Sequence, residues 1–377
     1  GKVWETGVKQ VIELSLSNGE KIKCTPDHIF LTIDMQKSIA SGLKSKKIMP
    51  FLKTSHSHIE DFVKYGFIQG DGQLTRLKSN YHKGIEVNIG KNDSDVLDLF
   101  RDDVYSMGKN NRVIYLSGYN EKLKDLGFSQ EGLLNREFPS TYNSWGLIEK
   151  ASFLRGCYSA NGCCLNSKNK YSRRVQYKTT SINFARQLSE TLEKDFGISS
   201  YITTNKSKNN IFSNGEYVCR ESYDVNIYKF NGLFAFFHEI GFCQKYKTYN
   251  LYCTLMMRAP YVISIKDIGV EKVYDFTEPS THWGVVNGFV AHNCAEEPLP
   301  AGGSCLLGSI NLSEFVENPF SKNAEFNYES FEKTVEIAVK GLNDILDEGL
   351  PLHPLEEQRE SVKNWRQIGC GIMGCHR

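Results

Sequence analysis

An internal repeat constrains the fold of this chain more than any other feature of its sequence. The segments "FVKYGFIQGDGQL" and "SFLRGCYSANGCC" align without gaps at a constant offset of 90 residues. Each copy places small residues four positions apart on one face of a predicted helix, just before an acidic or amide residue and a glycine. Small residues at this spacing let two helix backbones approach closely. The repeat therefore predicts two helices packed about a pseudo-twofold axis, which brings Asp71 of the first copy together with Asn161 of the second.

Sequences with strand character lie on both sides of this repeat. The stretch "GVKQVIELSLSNGEKIKCTPDHIFLT" alternates apolar and polar residues around "SNGE", a hairpin-turn signal. Strand patterns return in "YVISIKDIGVEKVYDFTEP" and "THWGVVNGFVAHNC", whereas the sequence between them mixes helices with short strands. After Cys294 the pattern predicts an amphipathic helix around "YESFEKTVEIAVKGLNDILDEG" and a second helical start at "PLEEQRESVKNW". Two β-rich pieces thus flank a long mixed insertion.

Composition and charge narrow the class of protein. Hydrophobic residues make up 40% and charged residues 24% of the 377 residues, as in soluble globular proteins, and no apolar run is long enough to cross a bilayer. The 11 cysteines are scattered without C-x-x-C spacing, which predicts reduced thiols in a cytoplasmic protein. Basic residues prevail before Cys294 and acidic ones after it, so the two parts are suited to different partners, the first to phosphate. Because the sequence starts with Gly1 and not with Met, and stops after "IGCGIMGCHR" without a closing polar tail, we expect a piece of a longer precursor.

The tripeptide His292-Asn293-Cys294 carries groups that can cut a main chain. An asparagine amide can attack its own backbone carbonyl, which forms a succinimide and releases whatever follows, if the carbonyl is polarised and the leaving group receives a proton. His292 can hydrogen-bond that carbonyl, His282 is a second acid/base candidate, and the Cys294 thiol can accept an acyl group. The alternative is an inert Asn-Cys loop, which the bare tripeptide would favour.

The wider segment "EKVYDFTEPSTHWGVVNGFVAHNC" resembles the C-terminal splicing motifs of inteins. Asp275 takes the acidic position of these motifs, and His282 takes the histidine before an aromatic residue. His292, Asn293 and Cys294 take the splice junction. In that family, splicing needs no cofactor, and the resemblance implies an all-β Hint fold shaped like a flattened horseshoe.

The N-terminal part carries a second intein-like motif. In "CTPDHIFLT", Thr25 and His28 match the residues that polarise the upstream peptide bond in inteins; alone, they would suggest a strand-end turn with a core histidine. Inteins open with a Cys or Ser nucleophile, and no such motif stands ahead of Gly1 in this sequence. We interpret Cys24 as a packed strand residue and not as a substitute for that nucleophile. The resemblance therefore implies a missing N-terminal intein and extein segment, which is either attached upstream or supplied in trans as a split intein.

The repeated helices that end in Gly-Asp-Gly resemble the LAGLIDADG homing endonucleases, which are often nested within inteins. The resemblance implies cleavage of double-stranded DNA at a homing site by one acidic residue from each helix end, with Mg²⁺ held by Asp71. Lysine-rich stretches such as "LKSKKIMPFLK" and "LNSKNKYSRRVQYK" would contact the DNA backbone. The sequence departs from the family at Asn161, where an aspartate is expected. A nickase, a weakened nuclease and an inactive domain kept as a DNA binder or a scaffold all remain open, and we favour impaired or lost double-strand cleavage.

Downstream, "CAEEPLPAGGSCLLGSINLSEF" and "EQRESVKNWRQIGCGIMG" resemble the catalytic large subunit of ribonucleotide reductase. After splicing, the resemblance implies a thiyl radical on Cys294, an acid/base role for Glu296 and a place for Cys305 in the redox pair. The alternative for Cys305 is a buried strand cysteine. The piece would be a fragment of an α/β barrel, inactive alone, whose complete host uses a small subunit or another radical source.

These interpretations combine into a multi-domain prediction. Residues 1–53 and 248–293 form the two parts of a Hint splicing domain, residues 54–247 an α+β LAGLIDADG-like domain, and residues 294–377 the reductase fragment. The predicted function is protein splicing from a ribonucleoside-diphosphate reductase precursor, by Asn293 cyclisation with Cys294 as downstream nucleophile. The alternative main activity is a site-specific DNA endonuclease or nickase. A hedgehog-type autoprocessing domain is disfavoured, because it has no splice-junction asparagine.

Overall fold

The computed structural model describes residues 3–53, 57–74, 84–108, 113–129, 132–165, 173–212, 215–276, 281, 283–292 and 303–374. Close contacts divide the chain into two compact units. The smaller unit comprises residues 1–9, 270–283 and 293–377, and the larger comprises residues 10–269 and 284–292. None of the described helices combines the length and the apolar character needed to span a bilayer.

The described strands range from two to fifteen residues in length. They are β1 (Val3–Leu16), β2 (Lys21–Cys24), β3 (Ile29–Leu31), β4 (Lys37–Ile39), β5 (Gly84–Asn88), β6 (Val104–Met107), β7 (Val113–Ser117), β8 (Gly162–Leu165), β9 (Arg174–Thr179), β10 (Tyr201–Asn205), β11 (Lys208–Phe212), β12 (Gly215–Cys219), β13 (Ser222–Ile227), β14 (Val262–Phe276), β15 (Trp283–Val286), β16 (Phe289–His292), β17 (Leu306–Asn311), β18 (Val316–Glu317), β19 (Glu325–Phe326) and β20 (Ile368–Met373).

The α-helices fall mainly in the insertion and in the last part of the chain. They are α1 (Glu60–Asp71), α2 (Ser94–Leu99), α3 (Tyr119–Asp125), α4 (Leu147–Asn161), α5 (Ile182–Phe196), α6 (Phe230–Glu239), α7 (Lys245–Arg258), α8 (Tyr328–Gly349) and α9 (Glu356–Trp365).

Two small sheets contain the strands that flank the mixed insertion. The first has the order β14-β1-β2, and the second has the order β15-β16-β3-β4. The hairpin predicted at "SNGE" is present: β1 and β2 pair antiparallel, and Gly19 in the connecting turn has a φ of +90°, a conformation that glycine adopts without strain. Apolar residues from these strands and from the segment after β4 form one core, which contains Ile12, Leu14, Leu16, Ile22, Phe30, Ala40, Leu43, Ile48, Val262, Phe289 and Ala291.

The mixed insertion has a separate and larger core built around α1 and α4. Two antiparallel sheets accompany these helices, one with the order β5-β7-β6 and one with the order β10-β13-β9-β8. Strands β9 and β13 bury Val175, Tyr177, Val225 and Ile227 in the core. Their intervening positions carry polar side chains, as period-two alternation requires when only one face of a sheet is covered by apolar packing.

The smaller unit contains a parallel pair of strands, β17 and β20, with α8 packed beside them. The amphipathic helix predicted from "YESFEKTVEIAVKGLNDILDEG" spans these same residues, and its Leu342 and Leu346 are buried. Helix α9 follows, and the residue after it, Arg366, makes a bidentate ion pair with Asp347 of α8.

The strands expected on both sides of the insertion are present in the structure. The Hint horseshoe and the domain boundaries stay predictions.

Candidate functional site

The strand that leads to the candidate splice junction pairs with the strand that follows the Thr25-x-x-His28 motif. Strand β16 runs antiparallel to β3, with Ala291 opposite Phe30, and both side chains are fully buried. In antiparallel pairing the register continues in opposite directions along the two strands. His292 therefore lies beside the start of β3, and His28 is the residue just before that start. Two stretches far apart in sequence are thus brought together.

The local structure of the Thr25-x-x-His28 motif is a tight turn. The main-chain N–H of His28 donates to the Thr25 carbonyl at 3.1 Å, and the His28 carbonyl accepts from the N–H of Ala40 at 2.7 Å. The imidazole packs edge-on against Phe30, with ring centroids 5.2 Å apart. Both Thr25 and His28 are half-buried, so the turn holds their side chains at the edge of the β core.

A two-residue turn delivers the junction strand. Asn287 and Gly288 connect β15 to β16 with φ angles of +49° and +82°, the combination that Asn-Gly hairpins favour. The Asn287 side chain donates to the Lys21 carbonyl at 3.1 Å, and the Gly288 carbonyl accepts from the N–H of Phe51 at 2.8 Å. The turn is therefore tied to β2 and to the end of the first β-rich piece.

The remaining predicted junction residues are placed differently. Asp275 lies on β14 in the smaller unit, where its carboxylate accepts from the N–H of Phe276 at 2.8 Å. The other four, His282, Asn293, Cys294 and Glu296, lie outside the described residues.

Two cysteines of the sequence prediction can be located. Burial raises the pKa of the Cys24 thiol to about 12, with Asp27 acting in the same direction, so this thiol is a poor nucleophile at neutral pH. Cys24 packs against the β core, in line with a packed strand residue. Cys305 is half-buried next to β17, and its thiol faces the Leu306 carbonyl at 3.7 Å.

The two repeat helices pack at their glycines, as the small-residue spacing predicts. A Cβ added to Gly66 would overlap the Phe153 carbonyl of α4, and a Cβ added to Gly156 would overlap the Val63 carbonyl of α1. One turn further along α1, a Cβ on Gly70 would overlap the Cβ of Ala160. The helices therefore approach as closely as their backbones allow.

This contact brings the C-terminal ends of α1 and α4 together. The Asn161 side-chain amide donates to the Gly70 carbonyl at 3.2 Å, one residue from Asp71, and it also hydrogen-bonds the buried Tyr177 hydroxyl. Asp71 and Asn161 line a common cavity of about 530 Å³, together with Gln73, Asn88, Arg136, Lys178 and Thr180 among others. The ends of the pair thus form a polar pocket with one carboxylate and one amide.

Two buried cations that the sequence interpretation missed hold these helix ends. Arg136 donates to the carbonyls of Gln69, Gly70 and Gly72, the last two at 2.8 and 2.9 Å. At the other helix, the Lys247 ammonium donates to the Ser159 carbonyl at 2.7 Å. Both cations are less than 10% exposed: Arg136 is 6% and Lys247 is 7% exposed.

The two contacts are related by the repeat. Gln69 and Ser159 occupy equivalent positions in the two copies, separated by the same offset as Asp71 and Asn161. The carbonyls at a helix C-terminus carry partial negative charge, which favours a cation there. A search for cations after each repeat copy could have listed Arg136 and Lys247 as candidates, but no local pattern marks either residue.

The environment of Asp71 makes its carboxyl unusually hard to ionise. Burial raises the pKa of Asp71 to about 6, and the negative charge of Asp93 acts in the same direction. The positive charges of Lys247 and Arg136 oppose this rise. A carboxyl with such a pKa changes its charge near neutral pH, which is typical of functional sites and of buried ion networks alike.

The residues at the helix ends can be compared with what Mg²⁺ requires. Magnesium binds through one or two carboxylates and completes its octahedron with water and substrate phosphates. Asp71 offers one such carboxylate at the cavity, whereas Asn161 turns its amide nitrogen toward Gly70. Within the described ranges, no group of three or more His, Cys, Asp or Glu side chains could hold a metal by itself. The helix ends therefore offer one carboxylate ligand, from Asp71, and none from Asn161.

The polar face of the β10-β13-β9-β8 sheet presents charged and amide groups in rows. Arg174 on β9 donates to the Asn226 side chain at 2.8 Å and to Gln176 at 3.2 Å. Asn205 donates to Asp224 at 2.9 Å, and Lys178 lies 4.0 Å from the same carboxylate. Within the lysine-rich stretch predicted to meet DNA, Arg174, Gln176 and Lys178 lie on this polar face, while residues 166–172 lie outside the described part of the chain.

Known proteins similar to this chain include ribonucleoside-diphosphate reductases. The chain is 25% identical over 423 aligned residues to the ribonucleoside-diphosphate reductase large subunit of Invertebrate iridescent virus 6, covering 99% of this chain and 40% of the viral protein. It is 35% identical over 81 residues to a vitamin B12-dependent ribonucleoside-diphosphate reductase of Thermoplasma acidophilum, covering 22% of this chain and 10% of that protein. The chain thus spans less than half the length of these relatives.

Among solved structures, the homing endonuclease I-WcaI bound to its DNA recognition sequence aligns with 52% of this chain and 88% of its own, at 14% identity and a TM-score of 0.34. The full-length DUF199/WhiA from Thermatoga maritima aligns with 54% of this chain and 63% of its own, at 15% identity and a TM-score of 0.34. Scores of this size do not establish a shared fold.

A protein-family model matches the second part of the chain. A model described as the ribonucleotide reductase barrel domain matches residues 135–377, which is more than half of the sequence. This match includes the parallel pair β17–β20 and the helices α8 and α9. The chain belongs to the ribonucleotide reductase barrel-domain family.

Proposed function

We propose that this chain is a ribonucleotide reductase precursor segment interrupted by an intein, and that its main activity is self-processing at the bond between Asn293 and Cys294. The observation that carries the proposal is the antiparallel pairing of β16 with β3, with Ala291 opposite Phe30. It joins the strand that ends at His292 to the strand that begins after His28. Intein chemistry requires these two distant motifs to meet.

The proposed cleavage is an intramolecular acyl transfer. The Asn293 side-chain nitrogen attacks the Asn293 main-chain carbonyl carbon, a new C–N bond closes the succinimide, and the peptide bond to Cys294 breaks. The attacking nitrogen loses one proton, and the released Cys294 amino group gains one. His292 and His282 are the proposed acid/base groups, Asp275 supports them from the acidic motif position, and no cofactor takes part.

Upstream processing requires the absent N-terminal segment. There the Thr25 hydroxyl and the His28 imidazole would polarise the peptide bond that precedes the intein, and the Cys294 thiol would accept the transferred acyl group. The half-buried turn that holds Thr25 and His28 supports this role, because it fixes both side chains at the edge of the β core.

The lengths of the alignments support an insertion in a host enzyme. The viral reductase subunit aligns with 99% of this chain, whereas the Thermoplasma enzyme aligns over 81 residues only. A chain made of a host piece of about 81 residues and a long insertion would align with one relative almost throughout and with the other only along the host piece. In the joined host we assign the radical to Cys294, acid/base work to Glu296 and a redox role to Cys305. The partner would be a small subunit or another radical source.

Cleavage can be tested on the full chain by mass spectrometry. The intact protein should release the piece 294–377 over time, and Asn293→Ala should abolish this release. The control is Asn323→Ala, which removes an exposed asparagine of the smaller unit. This variant should release the piece 294–377 at the same rate as the parent chain. Equal release from the parent chain and Asn293→Ala would rule out the asparagine mechanism.

A second candidate function, cleavage of double-stranded DNA, is favoured by the glycine-packed helix pair that sets Asp71 beside Asn161. One carboxylate is suited to one scissile phosphate, so we propose a strand-selective nickase. A magnesium ion bound at Asp71 would supply Lewis-acid activation of water and stabilise charge on phosphate. The residues of the chain itself bind and orient the duplex: Arg174, Gln176 and Lys178 present donors along β9.

The DNA activity can be tested on a supercoiled plasmid that carries the uninterrupted host gene around the insertion point. We expect nicked circles in the presence of Mg²⁺, little linear product, and no product from Asp71→Asn. Linear DNA as the main product would contradict the nickase assignment. Absence of any product, with binding retained, would leave the insertion as a DNA-binding domain.

A further inference from the structure

Helix α6 of the mixed insertion packs directly on the turn that delivers the junction strand. A Cβ built on Gly288 would lie 3.2 Å from the tip of the Phe234 ring. Gly288 is the second residue of the two-residue turn before β16. Its φ of +82° is a conformation that glycine adopts readily and that residues with a side chain rarely adopt. The Phe234 ring therefore covers the turn at van der Waals distance.

The face of α6 that makes this contact is separate from the face that builds the insertion's own core. Phe230 and Phe234 stack with centroids 5.7 Å apart, and Phe234 contacts the His238 ring at 4.3 Å. These residues are four apart and lie on one side of the helix. By contrast, Phe236 is fully buried against Tyr158, at 4.7 Å. Phe230 packs against both hydrophobic cores, so the α6 face formed by Phe230, Phe234 and His238 connects them.

Polar contacts hold the same region together. The Asn18 amide donates to the Asn231 side chain of α6 at 2.8 Å, which ties the helix to the β1–β2 turn. The Lys53 N–H approaches the His238 ring nitrogen at 3.4 Å at the exit of the first β-rich piece. Helix α6 is thus fixed to the β-rich part at both ends, with Phe234 in the middle.

The turn and the junction are only one short strand apart. Strand β16 contains four residues, about 13 Å of extended chain, between Gly288 and the end of His292. The ties of the strand include its pairing with β15, the Ala291–Phe30 pairing, the Phe289–Pro50 bridge and the bond from the Val290 N–H to the Met49 carbonyl at 2.9 Å. Because the strand is only four residues long, a displacement of its turn is carried to its far end within one hydrogen-bonded unit.

We propose that Phe234 is a positioning residue for the junction strand, so that helix α6 of the insertion supports cleavage at Asn293 without touching the reacting atoms. This inference rests on the proposed self-processing function. It also assigns the insertion a role in splicing: shortening the insertion by removal of α6 would expose the turn and leave β16 without its outer support.

The test measures release of the piece 294–377 from the full chain carrying Phe234→Ala, Phe234→Leu or Phe236→Leu. Phe234→Ala removes the ring and should slow release about tenfold or more, as small misplacements of reacting groups do. Phe234→Leu keeps apolar bulk over Gly288 and should restore most of the rate. Phe236→Leu alters the same helix on its other face, so it should lower the melting temperature and leave the release rate within about threefold of the parent.

Hydrogen exchange at the Val290 amide provides a readout that is independent of chemistry. It should quicken in Phe234→Ala and stay protected in Phe236→Leu. Parent-like release and protection in Phe234→Ala would overturn the positioning role while leaving self-processing intact. Equal slowing by Phe236→Leu would reduce the effect to general stability and overturn it as well. A parent chain that shows no asparagine-dependent release would remove the proposed function, and this inference with it.

Discussion

Gly66 and Gly156 lie against each other's helices at places where neither residue has room for a side chain. A Cβ on Gly66 would overlap the Phe153 carbonyl, and a Cβ on Gly156 would overlap the Val63 carbonyl. The obstacle in both cases is main chain, which cannot rotate away as a side chain can. The distance between α1 and α4, and hence the geometry of the pocket at their ends, depends on these two glycines.

Replacing either glycine by alanine should force the helices apart. We expect Gly66→Ala and Gly156→Ala each to lower the free energy of unfolding by about 3 kcal/mol, the upper end of what overpacking costs. Urea titration followed by circular dichroism would measure the loss. Gly132→Ala is the matched control, because no atom lies within 4 Å of its added Cβ. If the two groups of variants were equally stable, close backbone packing could not be what sets the helix spacing.

Ionisation of the Asp71 carboxyl should lower the free energy of unfolding near neutral pH. Its pKa of about 6 in the folded chain exceeds the value of about 3.9 expected in the unfolded chain, so the folded state binds the proton more tightly. Stability contributed by the protonated carboxyl is present below pH 4 and is lost as the pH rises through 6. Asp71→Asn should therefore stabilise the chain by about 2 to 3 kcal/mol at pH 8 and by little at pH 4.

Urea unfolding at pH 4, 6 and 8 would measure this difference. The exposed carboxylate of Asp125 provides a control, since a substitution at an exposed position such as Asp125→Asn should change stability by no more than about 0.5 kcal/mol. A stabilisation by Asp71→Asn that is constant across the three pH values would argue against a raised pKa at this residue.

Removal of the Lys247 charge should raise the pKa of Asp71 further. Lys247 is the stronger of the two cations that oppose the effect of burial on this carboxyl. In Lys247→Met the carboxyl resonance of Asp71, followed by NMR, should titrate above pH 6. The more distant Lys245→Met, at the exposed start of the same helix, should leave that titration unchanged. A downward shift in Lys247→Met would contradict the assigned electrostatics.

An aspartate at position 161 should make stability depend on magnesium. Asn161→Asp replaces the donor to the Gly70 carbonyl with an acceptor and sets a second negative charge near Asp71. Without metal, this variant should unfold more easily at pH 8, by about 1 to 3 kcal/mol. Added Mg²⁺ should recover much of the loss, because two carboxylates together bind the ion better than one.

Thermal unfolding without Mg²⁺ and at Mg²⁺ concentrations that rise in 10-fold steps would measure this linkage. The melting temperature of the parent chain, which has the amide at position 161, should rise less than that of Asn161→Asp. A variant with Asp71→Asn and Asn161→Asp together keeps a single carboxylate and separates metal binding from net charge. An equal response of the parent and Asn161→Asp to magnesium would count against a shared ion at the helix ends.

Local patterns in the sequence predicted those elements whose cause is local. The repeat identified the glycine contact because four-residue spacing of small residues is visible in one dimension, and α8 was predicted over its full length because its amphipathic period is regular. The hairpin at Gly19 followed from turn chemistry. These features depend on neighbours within a few positions along the chain.

Features produced by long-range packing were not predictable in this way. Arg136 and Lys247 bind main-chain carbonyls, and any residue type presents a carbonyl, so no partner residue marks them in the sequence. The contact between Phe234 and Gly288 joins two elements more than fifty positions apart, and no motif marks Phe234 as the partner of that turn. The junction residues His282, Asn293 and Cys294 were predicted from resemblance, and their roles stay predictions.

The parallel strands β17 and β20 carry a further consequence for handling this protein. They form a two-stranded sheet within residues 303–374, the described part of the region after the junction, and leave an outer edge on each strand. Leu307 is 78% and Ile372 is 59% exposed on these strands. Open edges with apolar side chains attract strands from other molecules. These two strands therefore give the chain a means of self-association, which should increase with protein concentration.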